Sequence, residues 1–127
     1  MSEPDDIRDL FAAWDAALRT GDADEVVALY ADDAVLLPTF SDRVRTTDDG
    51  RRDYFVHFLE RRPRASLEEA HARVYGDLAI LSGIYAFVFG AGAEREARAR
   101  FTFVYRRVDG RWWIVEHHSS AMPEGAP

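Results

Sequence analysis

Residues 94–120 have the sequence EREARARFTFVYRRVDGRWWIVEHHSS, in which apolar and polar residues alternate up to Asp109-Gly110 and aromatic and β-branched residues follow. Alternation with a period of two is the pattern of a β-strand that buries one face. Asp-Gly is typical of a tight turn between antiparallel strands. The segment therefore predicts a β-hairpin, with strands over residues 94–107 and 111–120.

Two further strands are predicted before this hairpin. Residues 78–89 are apolar and aromatic and follow a Gly76-Asp77 turn. Residues 66–75 carry two conflicting signals, because a capping-box pattern favours a helix and an alternating pattern favours a strand. We assign a strand to residues 66–75, since the segments that follow form a meander.

The N-terminal half predicts helices. Apolar residues recur there at steps of three and four, as one face of an amphipathic helix requires: Ile7, Leu10, Phe11, Trp14 and Leu18. Gly21 ends this helix, and Asp22 caps a second one that runs to Tyr30. A third helix is predicted over residues 51–61, after a short strand at residues 34–37.

This order of elements indicates an α+β protein, in which three N-terminal helices cover the inner face of a curved, mostly antiparallel sheet. A long meander curls, which leaves a cone whose open mouth is a common place for a ligand pocket. With 127 residues, the chain has the length of a single domain over residues 1–127.

The composition excludes several kinds of chemistry. All 16 basic residues are arginine, and the sequence has no lysine, cysteine, asparagine or glutamine. Schiff-base catalysis by a side-chain amine, thiol nucleophiles, disulfides and thiolate metal sites are therefore excluded. Such a composition is typical of a GC-rich bacterial genome.

The net charge of −7 argues against a nucleic-acid partner, because an acidic domain repels phosphate backbones. No apolar run approaches the roughly 18–20 residues that a membrane helix needs. The acidic start, MSEPDD, does not fit a secretory signal. We therefore expect a cytoplasmic protein with neither a nucleic-acid nor a membrane partner.

Residues 100–120 also carry a family pattern. They resemble the association (hub) domain of calcium/calmodulin-dependent protein kinase II and its free-standing bacterial relatives in the nuclear-transport-factor-2-like (NTF2-like) superfamily. Trp14, residues 20–22 (TGD), residues 29–30 (LY) and residues 54–59 (YFVHFL) match the same family. The resemblance covers nearly the whole chain and implies a cone-shaped NTF2-like fold.

The resemblance implies self-association and a ligand pocket. Hub domains associate through the convex sheet face into dimers or rings, and their pockets hold small carboxylates through arginines on the last three strands. Those positions fall near Tyr85, at Phe103 or, with a gap, at Arg100, and at Ser119. At the last position, this chain has serine where the hub has arginine.

His117 and His118 are candidate catalytic bases, because the unperturbed pKa of histidine lies close to neutrality. Adjacent residues of a strand point to opposite faces, so the preceding turn decides which ring faces inward. A two-residue loop at Asp109-Gly110 places His118 on the inner face. A three-residue loop with a glycine bulge places His117 and Ser119 there instead, and the hub resemblance favours this second arrangement.

Candidate ligand-binding aromatics come from three elements that meet at the cone mouth. Trp14, Tyr54 and Tyr85 each combine an apolar ring with a polar group, so they fit either a pocket wall or the core. Arg98 and Arg100 share a strand face with Glu94 and Glu96. These arginines form either a clamp for a carboxylate or a charged ladder on the convex face.

No metal or cofactor is predicted. Glu116 and His118 share one strand face, but His57 or His71 would have to complete a metal site, and no compact ligand motif is present. No nicotinamide or flavin motif is present either.

The sequence thus predicts a self-associating, hub-like domain, a homodimer or higher ring, whose pocket holds a small organic ligand such as a carboxylate. One alternative is a small enzyme of the polyketide-cyclase (SnoaL-like) or ketosteroid-isomerase type that uses His117 or His118 as its base. The other alternative is a purely structural oligomerisation domain. Whether the protein is an enzyme is left open.

Overall fold

A computed structural model describes residues 3–90 and 95–123. Its elements are α1 (Glu3–Arg19), α2 (Ala23–Val27), β1 (Tyr30–Leu37), α3 (Asp48–Leu59), β2 (Pro63–Tyr75), β3 (Leu78–Phe89), β4 (Arg95–Val108) and β5 (Arg111–Ala121). The strands form one sheet in the order β1-β5-β4-β3-β2. β1 pairs with β5 in parallel, and the other neighbours are antiparallel.

The α+β class and the mostly antiparallel sheet are confirmed, and so is the strand predicted over residues 66–75. The three helices are not all N-terminal, because α3 follows β1. The second helix ends at Val27 instead of continuing to Tyr30, which begins β1 and pairs with Ile114. The third helix begins at Asp48 instead of residue 51, because the side chain of Thr47 caps it.

The first helix packs its predicted apolar face on the inner side of the sheet. Ile7, Phe11, Trp14 and Leu18 are buried, and the Phe11 ring lies 6.2–6.4 Å from the rings of Tyr85, Phe101 and Phe103. Asp15 of this helix accepts a hydrogen bond of 2.7 Å from the Ala65 N–H of β2. The core therefore lies between α1 and the concave face.

The β4–β5 hairpin decides which histidine faces inward. Asp109 and Gly110 both have positive φ angles, 51° and 79°, which fits a two-residue turn. Tyr105 still pairs with Ile114, but Val104 pairs with Glu116, so Val115 is an extra residue in β5. Such a β-bulge reverses the alternation of faces beyond it. The turn is the two-residue loop, and yet His117 lies on the inner face.

A second bulge lies in β2, where the pairing with β3 shifts between Leu67 and Glu69. Gly83 of β3 lies beside this bulge with a φ angle of 155°. A Cβ atom at Gly83 would lie 2.0 Å from the Glu69 carbonyl oxygen. Glycine is therefore required here, because the two backbones approach too closely for a side chain.

Arg51 joins α3 to an irregular part of β1. Residues 31–34 of β1 lie opposite a single residue of β5, Val115, so the ladder is interrupted there. Arg51 is fully buried and donates hydrogen bonds to the carbonyl oxygens of Asp32 and Ala34, and it pairs with Asp48 at 2.6 Å. Because buried carbonyl groups need donors, this guanidinium stabilises the interrupted strand.

We expect Arg51→Met to lower the free energy of unfolding by about 2–4 kcal/mol, because it removes the donor of the buried Ala34 carbonyl and a second hydrogen bond to the Asp32 carbonyl. The matched control is Arg52→Met, in which the exposed neighbour loses an exposed ion pair with Asp24. Exposed pairs contribute little, so the control should unfold like the unchanged protein. Urea unfolding measures both variants, and equal stability of the two would contradict this role of Arg51.

Candidate functional site

The interior cavity lies between α1, α3 and the concave face of the sheet. It is lined by Trp14, Leu36, Pro38, Thr39, Phe40, Tyr54, Phe55, Phe58, Tyr85, Phe87, His117 and Ser119, and its volume is about 10 Å³. A space of roughly 10–15 Å³ holds one water molecule. The interior is therefore almost filled by side chains.

His117 lies at the centre of this wall and is 3% exposed. Its ring stacks on Phe103 with 4.0 Å between ring centroids. Its Nδ1 atom lies 2.8 Å from the Tyr30 hydroxyl, and its Nε2 atom lies 3.1 Å from the Tyr85 hydroxyl. Both ring nitrogens are therefore engaged.

The neighbouring donors assign a direction to this network. The Trp14 indole N–H donates to the Tyr30 oxygen, so the Tyr30 hydrogen is free to go to His117 Nδ1. The Tyr85 hydroxyl donates to Ser119 at 2.6 Å, so it accepts from His117 Nε2–H. The hydrogen bonds thus assign a neutral ring protonated at Nε2.

Burial keeps the whole network uncharged. Desolvation, with a smaller contribution from neighbouring His118, lowers the pKa of His117 to about 3. Desolvation likewise raises the pKa of Tyr30 and Tyr85 well above the usual value for tyrosine. At Tyr54, burial raises the pKa to about 12. No group of this network carries charge at neutral pH.

Such a network fits structural support better than acid–base catalysis. A general base works best when its pKa lies near the working pH, whereas the pKa of His117 is about 3. Its two nitrogens are also occupied by tyrosine hydroxyls. His117 is therefore a hydrogen-bonded core histidine in this arrangement.

The structure brings most of the predicted site residues together. Trp14, Tyr54, Tyr85, His117 and Ser119 line the interior cavity, and Phe103 lies against the His117 ring. Ligand binding by these residues stays a prediction.

Two predicted site residues lie elsewhere. His118 and Arg100 are exposed on the outer face of the sheet, where they pair with Thr102 and Ile84. The bulge at Val115 turns His118 outward, and the alternation of β4 turns Arg100 outward. Arg98 also lies outside and pairs with Glu68 at 2.8 Å, as in the charged-ladder alternative. Glu68 was not among its predicted neighbours, which were Glu94 and Glu96. Glu96 pairs with Val88 in β3, and Glu94 lies outside the described residues.

Sequence reasoning missed two members of the network. Tyr30 is predicted in a helix but begins β1, whereas Thr39 lies in the loop predicted for it and is not predicted as a site residue. Thr39 forms a very short hydroxyl contact with Ser119 at the end of the network. The sequence signal that includes Tyr30 is the family pattern, in which the LY pair follows the TGD motif at a fixed spacing. Within residues 3–90 and 95–123, no group of three or more metal-ligating side chains is arranged to hold a metal ion.

Comparisons with known proteins agree on one family. The sequence model of the calcium/calmodulin dependent protein kinase II association domain matches residues 3–123. A solved structure from Xanthomonas campestris, described as a candidate domain of this kind, is 40% identical with a TM-score of 0.93. That match covers 98% of this chain and 91% of the other. No curated protein matches the chain significantly.

More distant structures share the fold alone. An NTF2-like protein of unknown function from Pseudomonas putida KT2440 is 22% identical, with a TM-score of 0.81 and coverage of 97% of this chain and 95% of the other. A candidate dehydratase of the NTF2-like family from Streptomyces avermitilis is 19% identical, with a TM-score of 0.76 and coverage of 88% and 90%. The NTF2-like fold expected from the sequence is thereby confirmed.

We expect the burial of His117 to make stability depend on pH. The unfolded chain binds a proton at this ring below about pH 6.5, and the folded protein does so only near pH 3. Stability should therefore fall as the pH falls through this window, by at most about 1.4 kcal/mol per pH unit from this ring.

Urea unfolding between pH 6.5 and pH 4 measures this contribution by comparison with His117→Gln, which cannot titrate. The slope of stability against pH should be steeper for the unchanged protein than for His117→Gln. His118→Gln, which replaces the exposed neighbour, is the control and should keep the steep slope. Equal slopes for the unchanged protein and His117→Gln would contradict the prediction.

Proposed function

The chain belongs to the calcium/calmodulin-dependent protein kinase II association domain family, and from this membership we propose that it is a self-associating domain. Its copies meet through the outer face of the sheet to form a homodimer or a higher ring. The observation that carries this proposal is the pattern of side chains across that outer face.

The central row of the outer face runs across four strands. It consists of Arg73 on β2, Ile80 on β3, Val104 on β4 and Glu116 on β5, which are successive cross-strand partners. Ile80 and Val104 are partly exposed, and the two charged residues are exposed. The row therefore has an apolar centre and opposite charges at its two ends.

This row is complementary to itself. A two-fold axis that runs along the strands between two stacked sheets places β2 of one copy over β5 of the other. Arg73 of each copy then lies over Glu116 of the other, while Ile80 and Val104 pack at the centre. Such an isologous arrangement uses one patch twice, as most homodimers do. It also removes apolar surface from water.

The face is better suited to association than the edge at β2. Exposed strand edges are commonly blocked by prolines, bulges and charges. β2 begins at Pro63, contains a bulge between Leu67 and Glu69, and carries Glu68 paired with Arg98. These features support stacking of sheets over extension of the sheet.

The size of the interior cavity bears on the ligand part of the proposal. The aromatic wall of the interior cavity suits a flat organic molecule, but a volume of about 10 Å³ requires side chains such as Phe40 to move first. The filled interior favours the structural alternative, in which the protein's own side chains occupy the cone. No observation favours the enzyme alternative over these two.

We expect Arg73→Glu to weaken self-association by about tenfold or more, because it sets like charges against each other at both ends of the row. Glu116→Arg should do the same. The double variant Arg73→Glu/Glu116→Arg restores opposite charges and should recover association. Sedimentation velocity over a range of micromolar concentrations measures each protein.

The control is Arg62→Glu, which makes the same charge change at an exposed residue away from this face and should leave association unchanged. An unchanged protein that sediments as a monomer would contradict the proposed function. A double variant that associates no better than the single variants would contradict the proposed pairing.

A further inference from the structure

The outer face of the sheet holds two of the four histidines in one row. His71 on β2 pairs with Ser82 on β3, Ser82 pairs with Thr102 on β4, and Thr102 pairs with His118 on β5. This histidine row lies beside the central row, two residues away from it on every strand. Both histidines are exposed.

His71 already has an acidic partner. Its Nε2 atom lies 2.7 Å from a carboxylate oxygen of Glu69, which lies two residues earlier on the same face of β2. The two side chains are 60% and 59% exposed, so they are free to adjust. Two ligand atoms of a tetrahedral zinc ion lie about 3.3 Å apart, because each lies roughly 2.0–2.1 Å from the metal. A small movement of this pair therefore makes two ligands for one metal ion.

His118 has no hydrogen-bond or ion-pair partner among the described residues. Three strand spacings separate it from His71, which is roughly 14 Å across the sheet. The two histidines therefore cannot bind one metal ion within a single copy. In agreement with this distance, the described parts of one chain contain no group of three metal-ligating side chains.

Two copies in the proposed arrangement bring these histidines together. The two-fold axis along the strands places β2 of one copy over β5 of the other, so each row lies over its own reverse. His71 of one copy then lies over His118 of the other, as Arg73 lies over Glu116. Packed sheets lie about 10 Å apart, a gap in which two facing imidazole rings reach a common metal ion.

We propose that a divalent transition-metal ion, of which Zn²⁺ is the representative, binds between two copies at the histidine row and strengthens their association. Its ligands are His71 and Glu69 of one copy and His118 of the other, with water in the fourth position. Imidazole nitrogens and carboxylate oxygens are common ligands of zinc. The two-fold axis creates two such sites in a dimer. This metal site rests on the self-association proposed above.

The charges around the row suit a bridging cation. Each chain carries a net charge of −7, so two approaching copies repel each other. Two divalent cations at the contact reduce this repulsion. The nearest cation on β2, Arg73, donates to the Ser82 hydroxyl at 2.8 Å and faces Glu116 of the other copy, which compensates its charge.

Sedimentation velocity of the full chain without an affinity tag, dialysed against a chelator, measures association before and after addition of zinc chloride. We expect zinc to lower the apparent dissociation constant of the dimer by at least about tenfold, because an ion that binds only the associated form shifts the equilibrium toward it. Isothermal titration calorimetry should give one zinc ion per chain. Added chelator should restore the starting value.

His71→Gln and His118→Gln each remove a ligand from both sites of a dimer and should lose the zinc effect. Their association without zinc should stay within about twofold of the unchanged protein, because both side chains are exposed. The matched control is His57→Gln, which replaces an exposed histidine on α3 and should keep the full zinc effect. Circular dichroism and thermal unfolding confirm that each variant is folded.

A mixture of His71→Gln and His118→Gln tests whether the site is shared between copies. In a mixed dimer, one variant supplies His118 and the other supplies His71, so one of the two sites is complete. The mixture should therefore recover part of the zinc effect that each variant lacks alone. A mixture that responds no better than the separate variants would contradict a shared site.

An unchanged protein that associates equally with and without zinc would overturn the metal site and leave the proposed function standing. A protein that stays monomeric under both conditions would contradict both proposals. A full zinc effect in His71→Gln or His118→Gln, or its loss in His57→Gln, would place the ion elsewhere and would also overturn the metal site.

Discussion

The stacking of His117 on Phe103, with both of its ring nitrogens bonded to tyrosine hydroxyls, depends on one extra residue in β5. Val115 interrupts the pairing of β5 with β4 and with β1 at the same place. Beyond it, every residue of β5 changes face. The opposite β1 segment loses regular partners, and Arg51 supplies donors to its carbonyl groups. The bulge, the interrupted strand and the buried arginine therefore form one unit.

The local sequence pattern was sufficient to predict most of the helices and strands, but it was not sufficient to predict this unit. The spacing of Ile7, Phe11, Trp14 and Leu18 and the Asp109-Gly110 turn depend on near neighbours in sequence, and the structure agrees with both. A bulge at Val115 interrupts the pairing of β5 with its hairpin partner β4 and also with β1, which is far away in sequence. The turn alone would place His118 inside, and only the family pattern indicated His117. Tyr30 was misassigned for the same reason, because its pairing with β5 ends α2.

A cone-shaped domain can bind a ligand in its interior and can also support its sheet from within. The polar network and the small free volume of this interior favour the second role. The aromatic rings that would contact a ligand pack instead on one another, as Trp14 and Tyr85 do with a centroid distance of 5.9 Å. Each hydroxyl of the network is used within the protein, so an entering molecule would have to break existing hydrogen bonds. The packed interior then supports the sheet from its concave side.

All basic residues of this protein are arginine, and several of them have identifiable partners in the structure. Arg51 binds backbone carbonyls, Arg45 and Arg98 bind carboxylates, and Arg107 pairs with Asp77. These contacts use the fixed geometry of the guanidinium, which lysine lacks. Arg61 differs because two phenyl rings orient it without neutralising it. A cation that aromatic rings orient in this way keeps its N–H groups unused by other side chains of the described residues.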